Sequence, residues 1–309
     1  MTIEILQTGK LLASCEKSLA ERYTVHKLHE QADPASWLAA NSARIRAIAG
    51  GAVDAALMDA LPNLEIIANF GVGYDNIDTK AARTRNIRVT NTPDVLNDAV
   101  ADLAIGLMLA LGRRIVLADK FVRDGKWPGT NFGLSSELTG KTVGILGLGR
   151  IGKEIANRAQ ALKMRVVYFG RHRQPTVPHI YYDNLEDMAR DCDWMIVVAP
   201  GGKSTEGIVS RQVLEALGPA GRLVNVARGT LVDETAMLDL LRSGGLGGAA
   251  LDVFLDEPNV PEGLFALDNV VLNPHHASAT PETRDAMGAL LVQNLDAHFA
   301  GDPLPSAVV

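Results

Sequence analysis

The sequence is poor in cysteine and has no concentrated basic segment. Its two cysteines, Cys15 and Cys192, are too few for a disulfide framework or a cysteine-based metal cluster, so a reducing cytoplasm and no bound metal are expected. The net charge is −6 and the basic residues are scattered. This argues against nucleic acid as the main partner, because phosphate contacts need a clustered basic face.

The chain also lacks an apolar run long enough to cross a membrane. The most apolar stretch, residues 100–112, contains Asp102 and is shorter than the roughly 20 residues that a bilayer requires, so no membrane association is expected. No low-complexity linker and no solenoid-like repeat interrupts the chain. What is present is a globular composition with 47% apolar residues, enough for two hydrophobic cores, and a length that favours two domains.

Short apolar strands alternate with helical segments along the chain. The strand candidates before residue 98 are IEIL, YTVHKL, RIRAIAGG, LEIIANFG and IRVTNTP, and those after residue 140 are KTVGILGLG, MRVVYFG, WMIVVAP, RLVNVARG, GAALDVF and NVVLNP. A long helical pattern from Asp98 to about Lys126 separates the two series. Continuous apolar strands separated by helices are typical of parallel sheets covered on both faces.

The sequence therefore predicts an α/β protein with two doubly wound, Rossmann-like domains and an interdomain active-site cleft. We expect a discontinuous substrate domain that comprises residues 1–97 and 283–309, the latter holding most of the last helix. Residues 98–282 are expected to form the dinucleotide-binding domain, because six strands are the number that a full dinucleotide fold uses.

A glycine-rich turn begins the second series. Gly147, Gly149 and Gly152 form a G-x-G-x-x-G run between the strand TVGIL and the helical segment KEIANRAQAL. In this context the glycines permit a tight turn, close approach of the backbone to a pyrophosphate, and close packing of helix on strand, while the helix N-terminus offers N–H groups. We therefore expect a dinucleotide to be bound by Gly147, Gly149, Arg150, Ile151 and Gly152.

Residues 170–173 indicate which dinucleotide is expected. An NAD site usually has a carboxylate about 20 residues beyond the turn, where it binds the ribose 2′-hydroxyl, but here the strand RVVYF is followed by Gly-Arg-His-Arg. A carboxylate repels the 2′-phosphate of NADP, whereas a guanidinium pairs with it. Arg171, His172 and Arg173 therefore predict NADPH as the preferred cofactor, with Arg171 as the better candidate contact and NADH bound more weakly.

Four further motifs carry a family resemblance. They are NFGVGYDNID at 69–78, NVARGTLVDETAML at 225–238, ALDVFLDEP at 250–258 and NPHHASAT at 273–280. Together with the glycine turn they make nearly the whole chain resemble the D-isomer-specific 2-hydroxyacid dehydrogenases, and most of all their NADP-preferring glyoxylate/hydroxypyruvate and hydroxyphenylpyruvate reductase branch. The resemblance implies NADPH-dependent reduction of a small 2-keto acid, glyoxylate or hydroxypyruvate first, to the D-2-hydroxy acid.

The resemblance also implies site residues. His275 matches the general acid, a role typically worth about 10²–10⁴-fold in rate, and Glu257 matches the carboxylate that favours its protonated form. Arg228 matches the residue that orients the substrate carboxylate and polarises its carbonyl. The N–H groups of Val72 and Gly73 are expected to bind the same carboxylate. Further cofactor contacts are expected from Pro200, Val226 and Asp252, the last bonding the nicotinamide carboxamide.

Several points stay open at this stage. Larger 2-keto acids of the phenylpyruvate type, or 2-ketogluconate, are alternative substrates, and a non-catalytic dinucleotide-sensing corepressor is an alternative function. His276 competes with His275, which is preferred because it directly follows Pro274. Trp127 and Phe132 either line the substrate mouth or reach a partner subunit. The resemblance implies a homodimer built through the helix after Asp98.

Overall fold

The computed structural model describes residues 2–309, which fold as two compact units. One unit comprises the chain up to Leu96 together with Ser278–Val309, and the other comprises Asn97–Ala277. Each unit contains one sheet, and all strand pairs within both sheets are parallel. The predicted α/β fold with two doubly wound parallel sheets is confirmed.

The first unit has a five-stranded sheet with the order β2-β1-β3-β4-β5. Its strands are β1 (Glu4–Gln7), β2 (Thr24–Lys27), β3 (Ile45–Ala49), β4 (Ile66–Ala68) and β5 (Arg88–Thr90). The helices between them are α1 (Ala13–Ala20), α2 (Pro34–Asn41), α3 (Ala55–Ala60) and α4 (Thr79–Thr84), with 3₁₀ turns at Leu28–Glu30 and Ser42–Arg44. Loops at the carboxyl ends of such parallel strands are where doubly wound folds bind ligands.

The second unit has a seven-stranded sheet with the order β12-β11-β10-β9-β6-β7-β8. Its strands are β6 (Thr142–Leu146), β7 (Arg165–Phe169), β8 (Ile180–Tyr182), β9 (Trp194–Val197), β10 (Arg222–Asn225), β11 (Gly248–Leu251) and β12 (Val270–Leu272). Its helices are α5 (Asn97–Gly112), α6 (Ile115–Arg123), α7 (Arg150–Ala161), α8 (Leu185–Arg190), α9 (Arg211–Leu217) and α10 (Glu234–Ser243), with 3₁₀ turns at Gly229–Leu231 and Glu262–Leu264. The last helix, α11 (Pro281–Ala300), belongs to the first unit.

Two details of the second unit differ from expectation. The expected six strands were too few, because the short edge strand β8 adds a seventh, and β8-β7-β6-β9-β10-β11 is the arrangement that matches the dinucleotide fold. The expected long helical segment is two helices, α5 and α6. They are separated at Arg114, which has the left-handed φ of 55° that a continuing α-helix does not adopt.

Hydrophobic cores lie on both faces of the first sheet. One contains Ile48 and Ile67 with side chains of α3 and α4. The other packs α1 and α11 against Ala47 and Ile66. In the second unit, α8, α9 and α10 share a core with the sheet, and Cys192 is part of it, as expected of a small apolar filler.

Within residues 2–309, no helix combines the length and the apolar character that a membrane crossing requires.

Candidate active site

The residues expected to bind cofactor and substrate in the second unit follow neighbouring strands. Strands β12, β11, β10, β9, β6 and β7 are adjacent in that order and parallel, so their carboxyl ends share one edge at a spacing of about 4.8 Å per strand. The residues after these strands are, in the same order, His275, Asp252, Arg228, Pro200, Gly147 and Arg171. The fold thus places these expected site residues in a row along one edge.

The glycine turn has the local geometry of a dinucleotide cradle. Gly147 has a φ of +104°, and a Cβ there would lie 2.7 Å from the backbone of Ala199 on the neighbouring strand exit. A Cβ on Gly152 would collide with the carbonyl of Gly147, whereas one on Gly149 would meet nothing within 4 Å. Two glycines are therefore required by packing, and the third faces open space where a ligand can approach the backbone. The N-cap of α7, Gly149, offers no side-chain cap to the first helical N–H groups, so these remain available for an anion.

The loop after β7 carries three exposed side chains, Arg171, His172 and Arg173. The next residue, Gln174, donates from its side chain to the carbonyl of Leu148 at 2.6 Å. Leu148 lies between the first two glycines of the turn, so this hydrogen bond ties the basic loop directly to the turn. The arrangement presents cationic groups beside the glycine turn and no carboxylate within residues 170–174.

A buried asparagine shapes the segment that follows β10. The side chain of Asn225 donates to the carbonyl of Arg228 at 2.9 Å and accepts from the N–H of Ala227 at 3.0 Å. The guanidinium of Arg228 donates to the carbonyl of Ala227 at 2.7 Å. A Cβ on Gly229 would collide with the backbone of Phe254, so the glycine lets the arginine segment lie against the segment that leads to Glu257.

Asp252 is fully buried and organises the histidine loop. Its carboxylate accepts hydrogen bonds from the N–H groups of His276 at 2.7 Å and Ala277 at 3.1 Å, and from the side chain of Asn273. Its carbonyl accepts from the N–H of His275 at 2.8 Å. A buried carboxylate with this many donors is well satisfied, so holding the loop is one function of Asp252, in addition to the expected contact with the nicotinamide.

His275 and Glu257 form a direct pair. The Nδ1 atom of His275 lies 2.6 Å from Oε2 of Glu257, and the other oxygen, Oε1, accepts from the N–H of Phe254 at 3.0 Å. His275 has the left-handed φ of 50°, which is unusual for a residue with a side chain and is found where the surroundings enforce it. With Nδ1 engaged by the carboxylate, Nε2 is the ring atom left for proton transfer. The imidazole of His276 is exposed.

Other expected cofactor residues are found on the same edge. Pro200 is exposed, and its carbonyl accepts from the hydroxyl of Thr205 at 2.8 Å. Val226 is buried, and its N–H donates to the carbonyl of Val197 at 3.2 Å. Both lie one strand or two from the glycine turn, where a cofactor on that turn would pass.

In the first unit, the loop after β4 has its carbonyl groups turned inward. The side chain of Asn69 donates to the carbonyls of Gly71 at 3.0 Å and Gly73 at 2.9 Å. The side chain of Asn91 donates to the carbonyl of Val72 at 2.9 Å. These three successive carbonyls are thereby held in place, and this fixes the backbone of the segment whose N–H groups, those of Val72 and Gly73, are expected to bind an anion.

The sequence alone did not indicate three of these polar residues. Asn69, Asn225 and Gln174 each bridge backbone groups in a strand-to-loop junction. A polar amide directly after or within an apolar strand is the available signal for Asn69 and Asn225, because a buried amide needs partners. Gln174 lies in a polar loop and has no such signal.

Comparison with known proteins identifies relatives of this chain. A family model described as the NAD-binding domain of D-isomer-specific 2-hydroxyacid dehydrogenases matches residues 105–277. The chain is 46% identical to glyoxylate/hydroxypyruvate reductase A of Arabidopsis thaliana, covering 100% of this chain and 99% of that protein. It is also 46% identical to hydroxyphenylpyruvate reductase of Plectranthus scutellarioides, with 99% of each covered.

A crystal structure is similar over the full length. It is the NADPH-dependent glyoxylate/hydroxypyruvate reductase of Sinorhizobium meliloti in complex with NADP and malonate, with a TM-score of 0.96, 44% identity, and coverage of 100% of this chain and 97% of that one. This chain therefore belongs to the D-isomer-specific 2-hydroxyacid dehydrogenase family. It is an NAD(P)-dependent oxidoreductase, and the resemblance inferred from the sequence is confirmed.

Proposed function

We propose that the protein reduces small 2-keto acids, glyoxylate and hydroxypyruvate first, to D-2-hydroxy acids with NADPH. The observation that carries this proposal is the 2.6 Å pair of His275 and Glu257 on the sheet edge that also holds the glycine turn. An imidazole paired through Nδ1 to a carboxylate is a suitable general acid. Cofactor binding alone does not require such a pair.

The proposed reaction divides its work among a few residues. The reduced nicotinamide supplies the hydride when it is bound. His275 donates its Nε2 proton to the carbonyl oxygen, and Glu257 holds the ring through Nδ1. Arg228 grips the carboxylate and polarises the carbonyl, and the N–H groups of Val72 and Gly73 bind the same carboxylate. The unit that contains β1–β5 thus acts as the substrate domain.

The preference for NADPH is supported by the loop after β7. Arg171 and Arg173 are exposed there beside the glycine turn, and a guanidinium pairs with a 2′-phosphate that a carboxylate would repel. The similar structure from Sinorhizobium meliloti is of an NADPH-dependent enzyme and contains NADP. NADH remains a weaker cofactor in this proposal.

A homodimer is proposed from the surface around α6. Exposed apolar side chains are concentrated between residues 115 and 134, and they are Ile115, Val116, Val122, Trp127 and Leu134. Such concentrations on a soluble chain mark interaction surfaces. Phe132 packs against Phe121 at 5.4 Å between ring centroids and under the guanidinium of Arg114, so it supports this segment from within, whereas Trp127 projects from it.

The test is a panel of 2-keto acids assayed with NADPH and with NADH, read by loss of absorbance at the nicotinamide band. We expect the highest kcat/KM with NADPH and with glyoxylate or hydroxypyruvate. Higher kcat/KM with hydroxyphenylpyruvate, the acid in the name of the Plectranthus relative, or with 2-ketogluconate would shift the substrate assignment to larger acids. No oxidation with any acid would leave the corepressor function.

A further inference from the structure

The basic loop after β7 is anchored at both ends, and its second anchor is Gln174. At the first end, the carbonyl of Phe169 accepts from the N–H of Gly147 at 2.9 Å. At the second end, the N–H of Gln174 donates to the hydroxyl of Tyr168 at 2.7 Å, and its side chain donates to Leu148 at 2.6 Å. The exposed residues 171–173 are therefore closed into a short loop that rests on the glycine turn.

The acceptor that holds Gln174 is itself fixed in place. Tyr168 is 1% exposed, and its ring lies 5.3 Å from that of Tyr181. The hydroxyl of Tyr181 donates to the carbonyl of Gly170 at 3.2 Å. The two tyrosines thus frame the loop from the side of the sheet, and Gln174 connects this frame to the turn.

We infer that Gln174 is a positioning residue that sets the selectivity for a ribose 2′-phosphate over a 2′-hydroxyl. The inference rests on the proposed NADPH preference and deepens it. Binding an anion costs the backbone of a mobile loop conformational freedom, and anchors that hold the loop beforehand reduce that cost. Because Leu148 belongs to the turn, the Gln174 bond also fixes the spacing between the pyrophosphate cradle and the guanidinium groups.

The variant that tests this is Gln174→Met, which keeps the length of the side chain and removes the donor to Leu148. Binding of adenosine 2′,5′-bisphosphate and of AMP to the full-length protein is measured by titration calorimetry. We expect affinity for the bisphosphate to fall about three- to tenfold, the range for one lost hydrogen bond, while affinity for AMP stays near that of the unchanged protein. The ratio of kcat/KM with NADPH to that with NADH should fall by a similar factor.

Two further variants complete the design. Tyr168→Phe removes the acceptor for the N–H of Gln174 and should shift the same ratio in the same direction. Gln212→Met alters an exposed glutamine on α9 and should leave both affinities unchanged.

The outcomes separate this inference from the proposed function. A wild-type protein that binds AMP as well as the bisphosphate overturns the NADPH preference and the inference with it. A wild-type protein that discriminates, together with Gln174→Met and Tyr168→Phe variants that discriminate equally well, overturns the inference alone. Equal loss of both ligands in Gln174→Met also overturns it, because the residue would then only maintain the turn.

Discussion

Among single residues, His275 is the one whose substitution should affect proton transfer without affecting cofactor binding. Its ring is bonded to Glu257 and it is assigned no contact with the phosphate cradle. His275→Gln should therefore lower kcat by about 10²–10⁴-fold, the usual contribution of a general acid, and leave the dissociation constant of NADPH, measured by fluorescence, close to that of the wild type.

The neighbouring histidine provides the control. His276→Gln alters an exposed imidazole and keeps the backbone N–H that donates to Asp252, so kcat should be retained. If His276→Gln were inactive and His275→Gln were active, His276 would be the general acid.

The two cysteines are expected to be inert in the folded protein. Burial raises the pKa of the Cys15 thiol to about 11, with a smaller effect from Glu16, and raises that of Cys192 to about 12, with smaller effects from Asp191 and Asp193. A raised pKa means less thiolate, the reactive form, at pH 8. Neither thiol should react with Ellman's reagent until denaturant unfolds the chain, and rapid labelling of the native protein would contradict this.

The sequence predicts residues that belong to motifs more readily than residues that hold those motifs in position. His275, Glu257 and Arg228 were predicted as site residues because each belongs to an ordered set of motifs. Gln174 was not predicted, because its proposed role rests on a hydrogen bond to a residue 26 positions earlier in the chain. Nothing in local composition encodes such a contact, which exists only after β6 and β7 have paired.

At the scale of elements, the glycine turn after β6 and the start of α7 offer a matched pair of substitutions. Gly149 has a φ of −80° and open space at its Cβ position, so Gly149→Ala should fold normally. Its methyl group would occupy the space expected for the pyrophosphate, and NADPH affinity should fall about tenfold or more, equivalent to about 1.4 kcal/mol. Melting temperature and cofactor titration measure the two effects.

The paired substitution, Gly152→Ala, should lower the stability of the protein even when no cofactor is bound. Gly152→Ala forces a methyl group against the carbonyl of Gly147, and overpacking of this kind costs about 1–3 kcal/mol of folding free energy. Its melting temperature should fall even without cofactor. If Gly149→Ala destabilised the apo protein as strongly, the distinction between a packing glycine and a ligand-facing glycine would be wrong.

A second element-scale prediction concerns Asn91, which connects the C-terminal tail to the loop that contains Val72. The hydroxyl of Ser306 donates to the carbonyl of Asn91 at 2.6 Å, and the side chain of Asn91 donates to Val72 at 2.9 Å. Asn91→Ala frees the Val72 carbonyl and should raise KM for the keto acid about three- to tenfold, the range for one lost hydrogen bond. KM for NADPH should not change.

The control for that substitution is Asn63→Ala. Asn63 is exposed and also donates from its side chain to a backbone carbonyl, that of Ala43, at 2.7 Å, but it precedes β4 rather than following a strand. It should leave both KM values unaltered. Equal effects of the two variants would reduce the role of Asn91 to general stability.

Helices and strands with a continuous apolar sequence were predicted more readily than short or partly exposed ones. The buried strands β6, β9 and β10 were evident because parallel strands covered on both faces read as continuous apolar runs. Strand β8 was missed because it is a partly exposed, three-residue edge strand. The break between α5 and α6 was missed as well, because the helix-stop signal of Gly112 was not used. This glycine ends α5 two residues before Arg114.

At the scale of the whole molecule, the apolar surface of residues 115–134 predicts a dimer that depends on it. Burying a Val or Ile side chain contributes up to about 1.5–3 kcal/mol, whereas burying an unpaired lysine charge is costly. The double variant Val116→Lys, Val122→Lys should therefore be monomeric in light scattering, where the wild type should have twice the chain mass. Ile180→Lys, which places the same charge at a 47% exposed apolar residue outside this segment, should remain dimeric. A monomeric wild type would show that the proposed dimer does not form. A dimeric double variant would show that the interface lies elsewhere, because an apolar contact cannot accommodate two lysines without loss of affinity.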